Sequence, residues 1–216
     1  MKRFLMLLAV LSVAMYGCGG KTVLNTSIPG SSTEKPIWAS QTPRPEWTVN
    51  VPEAEGGILS FVGVSEEKMA AEQDARKSAG EFAIREVVRY LGSFFSEEYK
   101  TYISRTGSSS DYIDPSKATQ GVEDFLAGSL TKRVKPSKWY FEKYTNNLKQ
   151  DSWKAYVLSK FPINEAEGAY KDALDNQIED MKKQRDQVSV QKAKQQFDDT
   201  IEVFNKMKAQ GFKANQ

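Results

Sequence analysis

The pattern of apolar and polar positions begins with a short apolar leader. After Met1-Lys2-Arg3, the positions from Phe4 to Tyr16 are apolar except for Ser12. A charged start followed by a short apolar run is typical of a secretory signal peptide. The run is shorter than the roughly 20 apolar residues that a transmembrane helix needs. The pattern therefore predicts a signal peptide over residues 1–17.

A polar, proline-rich stretch follows the leader. Five of the eight prolines lie between residues 19 and 56, among Gly, Ser and Thr. Such a composition buries too little apolar surface to offset the entropy of ordering the chain. We therefore predict a flexible tether over residues 18–44, with an average span of about 28 Å for its 26 residues from Gly19 to Arg44. Trp47, just beyond it, is expected to pack on the following domain or, alternatively, to bind a partner.

The next pattern predicts a strand followed by a long helix. Ile58 to Val64 is a compact β-branched and aromatic run, which indicates a buried strand. Ser65 stands where a helix N-cap is expected, with Glu66 and Glu67 in the first turn. The helical period then continues to about Ser104, and its apolar positions recur at steps of three and four: Ala75, Ala79, Phe82, Ala83, Val87, Tyr90, Leu91 and Phe94. The alanines come first and would let the helix approach a sheet closely, while the later aromatic residues would fill a wider gap at the other end of the helix.

A polar loop and a shorter helix come next. The stretch "GSSSDYIDPSK" after residue 106 has loop composition, and Val122, Phe125, Leu126 and Leu130 then recur at helical spacing. Asp111 and Asp114 in the loop are either turn-forming residues or ligands for a hard cation such as calcium. We predict no metal site, because turn formation accounts for both residues.

Two aromatic segments separated by "TNNLKQD" predict a β-hairpin. In the first, Trp139 and Phe141 share one face, while Tyr140, Glu142 and Tyr144 share the other. Aromatic side chains on both faces predict that one face packs on the long helix. The other face is expected to form core or subunit interface, or to hold a ligand.

The C-terminal quarter has a helical period after Pro162. One apolar stripe runs from Ala166 to Val188 and another from Phe197 to Met207, with a polar interval where the stripe slips or the helix breaks. Together, the elements predict an α+β fold with a three-stranded antiparallel sheet in β-α-β-β order. We expect this domain over residues 45–162, with the long helix packed on the sheet and a C-terminal amphipathic helical extension over residues 163–216.

Cys18 is the only cysteine, and it follows the apolar leader directly. The run Met15-Tyr16-Gly17-Cys18 resembles a bacterial lipobox, in which the cysteine is acylated and becomes the mature N-terminus. The alternative is a free thiol, which is a liability in an oxidising compartment. We therefore predict lipidation at Cys18, which would give stable anchoring through two or three acyl chains. Gly19 after the cysteine indicates the outer membrane. We expect the protein on its periplasmic face, with display on the outer surface as the alternative.

Charge and residue usage exclude several classes of function. Removal of the leader takes Lys2 and Arg3 from 30 basic side chains, leaving 28 against 28 acidic ones. A neutral chain is not expected to bind nucleic acid. The sequence contains no histidine, which excludes Ser-His-Asp and Cys-His catalysis and disfavours zinc and copper sites. We predict no catalytic residue, no metal and no cofactor.

Several of these segments together resemble the lipoprotein-20 family of bacterial outer-membrane lipoproteins, which includes a flagellar outer-membrane disc protein. The resemblance rests on Trp47, on the junction Phe61-Val62-Gly63-Val64-Ser65, and on the helix start with Ala70, Ala75-Arg76 and Ala79. It covers roughly residues 45–160 and implies a compact β-α-β-β domain without catalytic activity. It further implies a role as an antigen, a structural part of the envelope or a ring component. The stretch from about 104 to 132 and the C-terminal helical region depart from the family's pattern.

Two functions therefore stand as hypotheses. The first is a non-catalytic lipoprotein that assembles with itself or with another envelope protein, since unpaired sheet edges invite pairing with another copy. The second is a tethered regulator of a cell-wall enzyme, which would need a tether long enough to cross the peptidoglycan. An enzyme is disfavoured, because the commonest catalytic groups are missing.

Overall fold

A computed structural model of the chain describes residues 35–66, 68–106 and 112–213, and in this part the fold is α+β. The strands are β1 (Trp38–Ala39), β2 (Ile58–Val64), β3 (Lys135–Thr145) and β4 (Asp151–Pro162). The helices are α1 (Glu72–Thr106), α2 (Pro115–Leu130), α3 (Ile163–Gln187) and α4 (Gln191–Gln210). Each described helix lacks the length or the apolar character that crossing a bilayer would require.

The sheet is antiparallel and has four strands in the order β1-β3-β4-β2, one more than predicted. The predicted hairpin is confirmed as β3 and β4, with Tyr140 opposite Tyr156. The additional strand, β1, pairs Trp38 with Lys143 and Ala39 with Glu142. Two residues in a proline-rich stretch carry no readable strand period, so only the contact with β3 defines this strand. The last part of the predicted tether, residues 37–40, is thereby hydrogen-bonded to the sheet.

The long helix is confirmed, but it begins at Glu72 rather than after Ser65. The Ser65 side chain accepts a hydrogen bond from the Ala155 amide at 3.2 Å instead of capping a helix. Met69 and Trp153 then exchange backbone hydrogen bonds of 2.8 and 2.6 Å. Ser65 and Met69 thus pair with β4 through their backbone groups, and the helix starts only after them.

The alanine end of α1 lies directly on the sheet, as predicted. Ala75, Ala79 and Ala83 are fully buried against a cluster that includes Phe141 and Val157. A Cβ atom on Gly63 of β2 would lie 2.8 Å from the Ala83 Cβ and would overlap the Ala79 backbone oxygen. The close approach of helix and strand therefore requires glycine on the strand and alanine on the helix.

The second helix is confirmed and starts at Pro115, earlier than its apolar period. Asp114 is its N-cap, and its carboxylate accepts a hydrogen bond from the Ser116 amide at 2.8 Å. Asp114 therefore has the turn-forming role that was one of its two interpretations. Asp111 lies outside the described residues.

The C-terminal helices α3 and α4 share one core with α1 and α2 instead of forming a separate extension. The ring of Phe204 lies 5.1 Å from that of Tyr99 and 5.6 Å from that of Phe95, both on the aromatic half of α1. The predicted interruption is a break between Gln187 and Gln191. The apolar stripes of α3 and α4 are buried because the aromatic half of α1 offers apolar surface for them to cover.

Candidate functional site

The sheet face opposite α1, here called the tyrosine face, carries a buried carboxylate. Glu142 is 1% exposed, although carboxylates are almost never this buried without partners. Three tyrosine hydroxyls donate hydrogen bonds to it, at 3.1 Å from Tyr140, 2.7 Å from Tyr144 and 3.4 Å from Tyr156. Alternation along β3 places Tyr140, Glu142 and Tyr144 on one face, and the hairpin register sets Tyr156 opposite Tyr140.

Arg44 completes the hydrogen bonding of this carboxylate from outside the sheet. Its Nε donates to the Glu142 Oε1 at 2.9 Å, and one of its terminal nitrogens donates to the same oxygen. The guanidinium also lies 5.3 Å from the centre of the Tyr156 ring. Such a charge-assisted contact is stronger than a neutral hydrogen bond, and the aromatic face adds cation–π attraction. We call the Arg44–Glu142 pair the latch.

The latch holds the N-terminal segment, which we define as residues 35–50, against β3. The Ile37 amide donates to the Lys143 oxygen at 2.9 Å, and the Ser40 amide donates to the Phe141 oxygen at 3.0 Å. The Ser40 hydroxyl in turn accepts from the Phe141 amide at 3.0 Å. Backbone pairing and one partly buried ion pair therefore fix this segment to the sheet together.

Two lysines bring further positive charge to the tyrosine face. The Lys68 amine lies 4.1 Å from the centre of the Tyr144 ring, and the Lys154 amine lies 5.7 Å from that of Tyr156. Lys154 is 9% exposed, and this burial lowers the pKa of its amine, while the charge of Glu142 opposes the shift. Three cations, Arg44, Lys68 and Lys154, thus lie on the same sheet face as the carboxylate of Glu142.

The chemistry of this cluster suits holding rather than reacting. Burial and the neighbouring Glu142 carboxylate raise the pKa of Tyr140, Tyr144 and Tyr156. The phenols are therefore protonated donors at neutral pH and not nucleophiles. Both oxygens of Glu142 accept hydrogen bonds, and the side chain has almost no contact with solvent. The cluster therefore positions the N-terminal segment on β3.

Three surface clefts lie elsewhere on the described part of the chain. The first, of about 490 Å³, lies between α1 and the start of α2 and is lined by Tyr99, Lys100 and Glu123 among others. The second and third have about 430 Å³ each; one lies along α1 and α2 and the other beside β2. None of the three is lined by a residue of the latch, and their walls mix charged and apolar side chains without a convergent set of donors.

The structure describes some of the site residues predicted from the sequence and not others. Cys18, the predicted lipidation site, lies outside the described residues, so its modification stays a prediction. Trp47 packs against the cluster of Val64, Tyr140 and Tyr156, which confirms its predicted docking on the domain. Across residues 35–66, 68–106 and 112–213, no group of three or more His, Cys, Asp or Glu side chains is placed to hold a metal ion.

The sequence pattern does not predict the latch, although it shows a carboxylate between two tyrosines on one strand face. The alternation of Tyr140, Glu142 and Tyr144 was read correctly as one face of a strand. A carboxylate between two tyrosines on a face expected to be buried calls for a cation, because an unpaired buried charge is costly. The sequence did not identify Arg44 as that cation, since it lies 98 residues away in the predicted tether.

Comparison of the chain with protein-family models, with curated proteins and with solved structures found no match. The resemblance to the lipoprotein-20 family therefore stays a prediction that rests on the residues quoted for it.

Proposed function

We propose that this chain is a non-catalytic lipoprotein, anchored by Cys18 in the outer membrane and facing the periplasm, where it assembles with itself or with another envelope protein. The observation that carries this proposal is the latch. It fixes the N-terminal segment to the domain, so the domain is joined to the proposed anchor by a short length of chain.

The covalent chain limits how far the domain can lie from the anchor. Backbone pairing begins at Ile37, and the described chain begins at Lys35. A chain spans at most 3.3–3.6 Å per residue, so the stretch from Cys18 to Lys35 cannot exceed about 60 Å. That limit is shorter than the reach that a free tether up to Arg44 would have. It favours a role close to the membrane over a regulator that crosses the peptidoglycan.

The sheet supplies a surface on which such a protein can assemble. β2 is the last strand in the sheet order, so no strand among the described residues pairs with its outer edge. Ser65 bonds inward to Ala155, and alternation therefore directs the backbone groups of Ser60 and Val62 outward. Unpaired edges invite pairing with another chain. Head-to-tail contacts would close into a ring, like the flagellar disc of the family that the sequence resembles.

The first test follows the anchor. The full chain and its Cys18→Ala variant are expressed in a Gram-negative host, and membranes, soluble fractions and intact masses are compared. We expect the wild-type chain in the outer-membrane fraction with the mass of two or three acyl chains. The variant is expected as soluble protein or as uncleaved precursor. Normal processing and membrane attachment of the variant would refute the anchor.

The second test follows assembly. The acylated chain is extracted in mild detergent, and its absolute mass is measured by light scattering with correction for detergent. A defined oligomer supports the assembly role and leads to imaging of its shape. A monomer, with a partner captured by cross-linking in cells, would instead support the tethered regulator.

A further inference from the structure

One corner of the sheet combines the tip of the β3–β4 hairpin with the entry of the N-terminal segment. β1 runs antiparallel to β3 with Trp38 opposite Lys143. Going back along the chain from Trp38 to Lys35 therefore leads toward the turn over residues 146–150, where β3 ends and β4 begins. The described chain thus starts beside the hairpin tip.

This corner exposes three large apolar side chains. Leu148 in the turn is 78% exposed, Ile37 is 62% exposed and Trp38 is 48% exposed. We call these three residues the tip corner. The indole of Trp38 keeps an edge contact with Trp153 at 5.8 Å, so one side of the ring packs on the sheet while the rest faces solvent.

The exposure of Leu148 results from an ordered turn. The Asn146 side-chain oxygen accepts from the amides of Leu148 and Gln150, at 2.9 Å each. The Lys149 amide donates to the Asn146 backbone oxygen at 2.9 Å, and Lys149 adopts a left-handed φ of 58°. These hydrogen bonds close the turn and point Leu148 away from the sheet. The turn therefore presents an apolar side chain to its surroundings in a fixed place.

The charges around the tip corner match a phospholipid surface. Lys35 lies two residues before Ile37 and Lys149 directly follows Leu148, and both lysines are exposed. The adjacent Asp151 is bound by Lys143 at 2.5 Å, so its negative charge is compensated. Aromatic and aliphatic side chains flanked by lysines are typical of surfaces that rest in the headgroup region of a membrane.

We propose that the tip corner contacts the phospholipid surface of the membrane that carries the acyl chains of Cys18. This inference rests on the proposed function, because it requires the lipid anchor. The chain that leads to the anchor joins the described structure at Lys35, beside the tip corner. The anchor therefore holds Lys35, and the tip corner beside it, within about 60 Å of the membrane, and the exposed apolar side chains of the corner make the contact.

The test uses the full chain with a fluorescent label at one position. Acylation consumes the thiol of Cys18, so a cysteine introduced in Leu148→Cys is the only one that reacts with a bimane label. Val190→Cys is the matched control, because Val190 is also apolar and 51% exposed but lies between α3 and α4. Each labelled protein is reconstituted in vesicles of phosphatidylethanolamine and phosphatidylglycerol, with and without doxyl-labelled lipid. Flotation of the vesicles reports the anchor separately.

We expect both proteins to float with the vesicles. Doxyl lipid is expected to quench the label at position 148 by about twofold or more and to leave the label at position 190 unchanged, because only a label within the headgroup and upper acyl region meets the quencher. Flotation without quenching at position 148, or with equal quenching at both positions, would overturn the inference and leave the anchor intact. A blue shift at position 148 that depends on protein concentration and not on doxyl lipid would assign the corner to a second copy of the chain. Failure to float would refute the anchor and the inference together.

Discussion

The latch predicts a specific loss of stability in the N-terminal segment when the charge of Arg44 is removed. Arg44→Met keeps an unbranched stem of similar length and deletes both hydrogen bonds to Glu142. Glu142 then retains the three tyrosine hydroxyls but loses its bonded cation. The backbone hydrogen bonds of Ile37 and Ser40 remain, so the change isolates the contribution of the ion pair.

The expected size follows from burial on the two sides of the pair. A hydrogen bond to a charged group contributes about 1.5–3 kcal/mol when its partner is buried. The Glu142 side chain is 2% exposed, which places it in this range, whereas the Arg44 side chain is 42% exposed and is partly screened by water. We therefore expect a loss of about 2 kcal/mol, in the lower half of this range, for a partly exposed guanidinium whose two nitrogens share one carboxylate oxygen. This free energy corresponds to an increase of about 30-fold in the opening equilibrium of the segment.

Native-state hydrogen exchange measures this opening directly. The chain carries Cys18→Ser so that acylation does not interfere, and exchange is followed at the amides of Ile37 and Ser40, which donate to β3. Both amides are expected to exchange about 30-fold faster in Arg44→Met, while amides between β2 and β4 keep their rates. The matched control is Arg89→Met, because Arg89 pairs with Glu86 on α1 at 2.7 Å but is 69% exposed. We expect the control to change stability by less than about 0.5 kcal/mol.

A small change in the exchange rates of Arg44→Met would contradict a stabilising role of the ion pair. If the Ile37 and Ser40 amides exchange less than about threefold faster in Arg44→Met, the ion pair contributes under about 0.7 kcal/mol. Backbone pairing and Trp47 packing would then hold the segment without the latch. Equal acceleration of the β2–β4 amides would instead mean that the pair stabilises the whole domain and not the segment.

Three further predictions concern packing and titration. Gly63→Ala is expected to lower the free energy of unfolding, measured by urea denaturation, by about 3 kcal/mol, because the added Cβ meets the α1 backbone. The control Gly80→Ala has open space around its Cβ and should raise the free energy of unfolding by about 0.5–1 kcal/mol. Tyr170→Phe is expected to leave the protein as stable or to stabilise it by about 1 kcal/mol, because the buried hydroxyl has no hydrogen-bond partner among the described residues; a loss above about 1 kcal/mol would contradict this. Burial raises the pKa of Tyr144, Tyr156 and Tyr170 above the ordinary value, so unfolded tyrosine ionises first and stability should fall by about 1 kcal/mol per tyrosine from pH 10 to 11. Denaturation curves at both pH values that show no such fall would refute the burial argument.

Local patterns in the sequence determined the main elements of the fold. Strand β2 was readable from its β-branched run, and the hairpin from two aromatic segments around a polar gap. The alanine end of α1 was readable because a helix that touches a sheet needs small side chains at the contact, whereas the close approach of Gly63 to this helix emerged only from the structure. The stripe of α3 was readable from Ala166 to Met181, since helical periodicity is a property of neighbouring residues.

Long-range contacts decided the start of α1, the existence of β1 and the burial of the C-terminal helices. The start of α1 shifted from Ser65 to Glu72, because the backbone groups of Ser65 and Met69 find hydrogen-bond partners on β4. The short strand β1 exists only through its pairing with β3 and has no period of its own. Burial of α3 and α4 depended on their packing in one core with the aromatic half of α1.

At the candidate site, too, local sequence patterns predicted some features and only tertiary contacts decided the others. The sequence by itself predicted a lipid anchor at Cys18, which stays a prediction, and it determined that Tyr140, Glu142 and Tyr144 share a strand face. Only the tertiary structure placed Arg44 on Glu142 and brought the start of the described chain beside Leu148 at the hairpin tip. The physical reason is that an ion pair between residues 98 positions apart leaves no trace in local composition. It forms because the fold buries a carboxylate that has to find a cation wherever the chain can supply one.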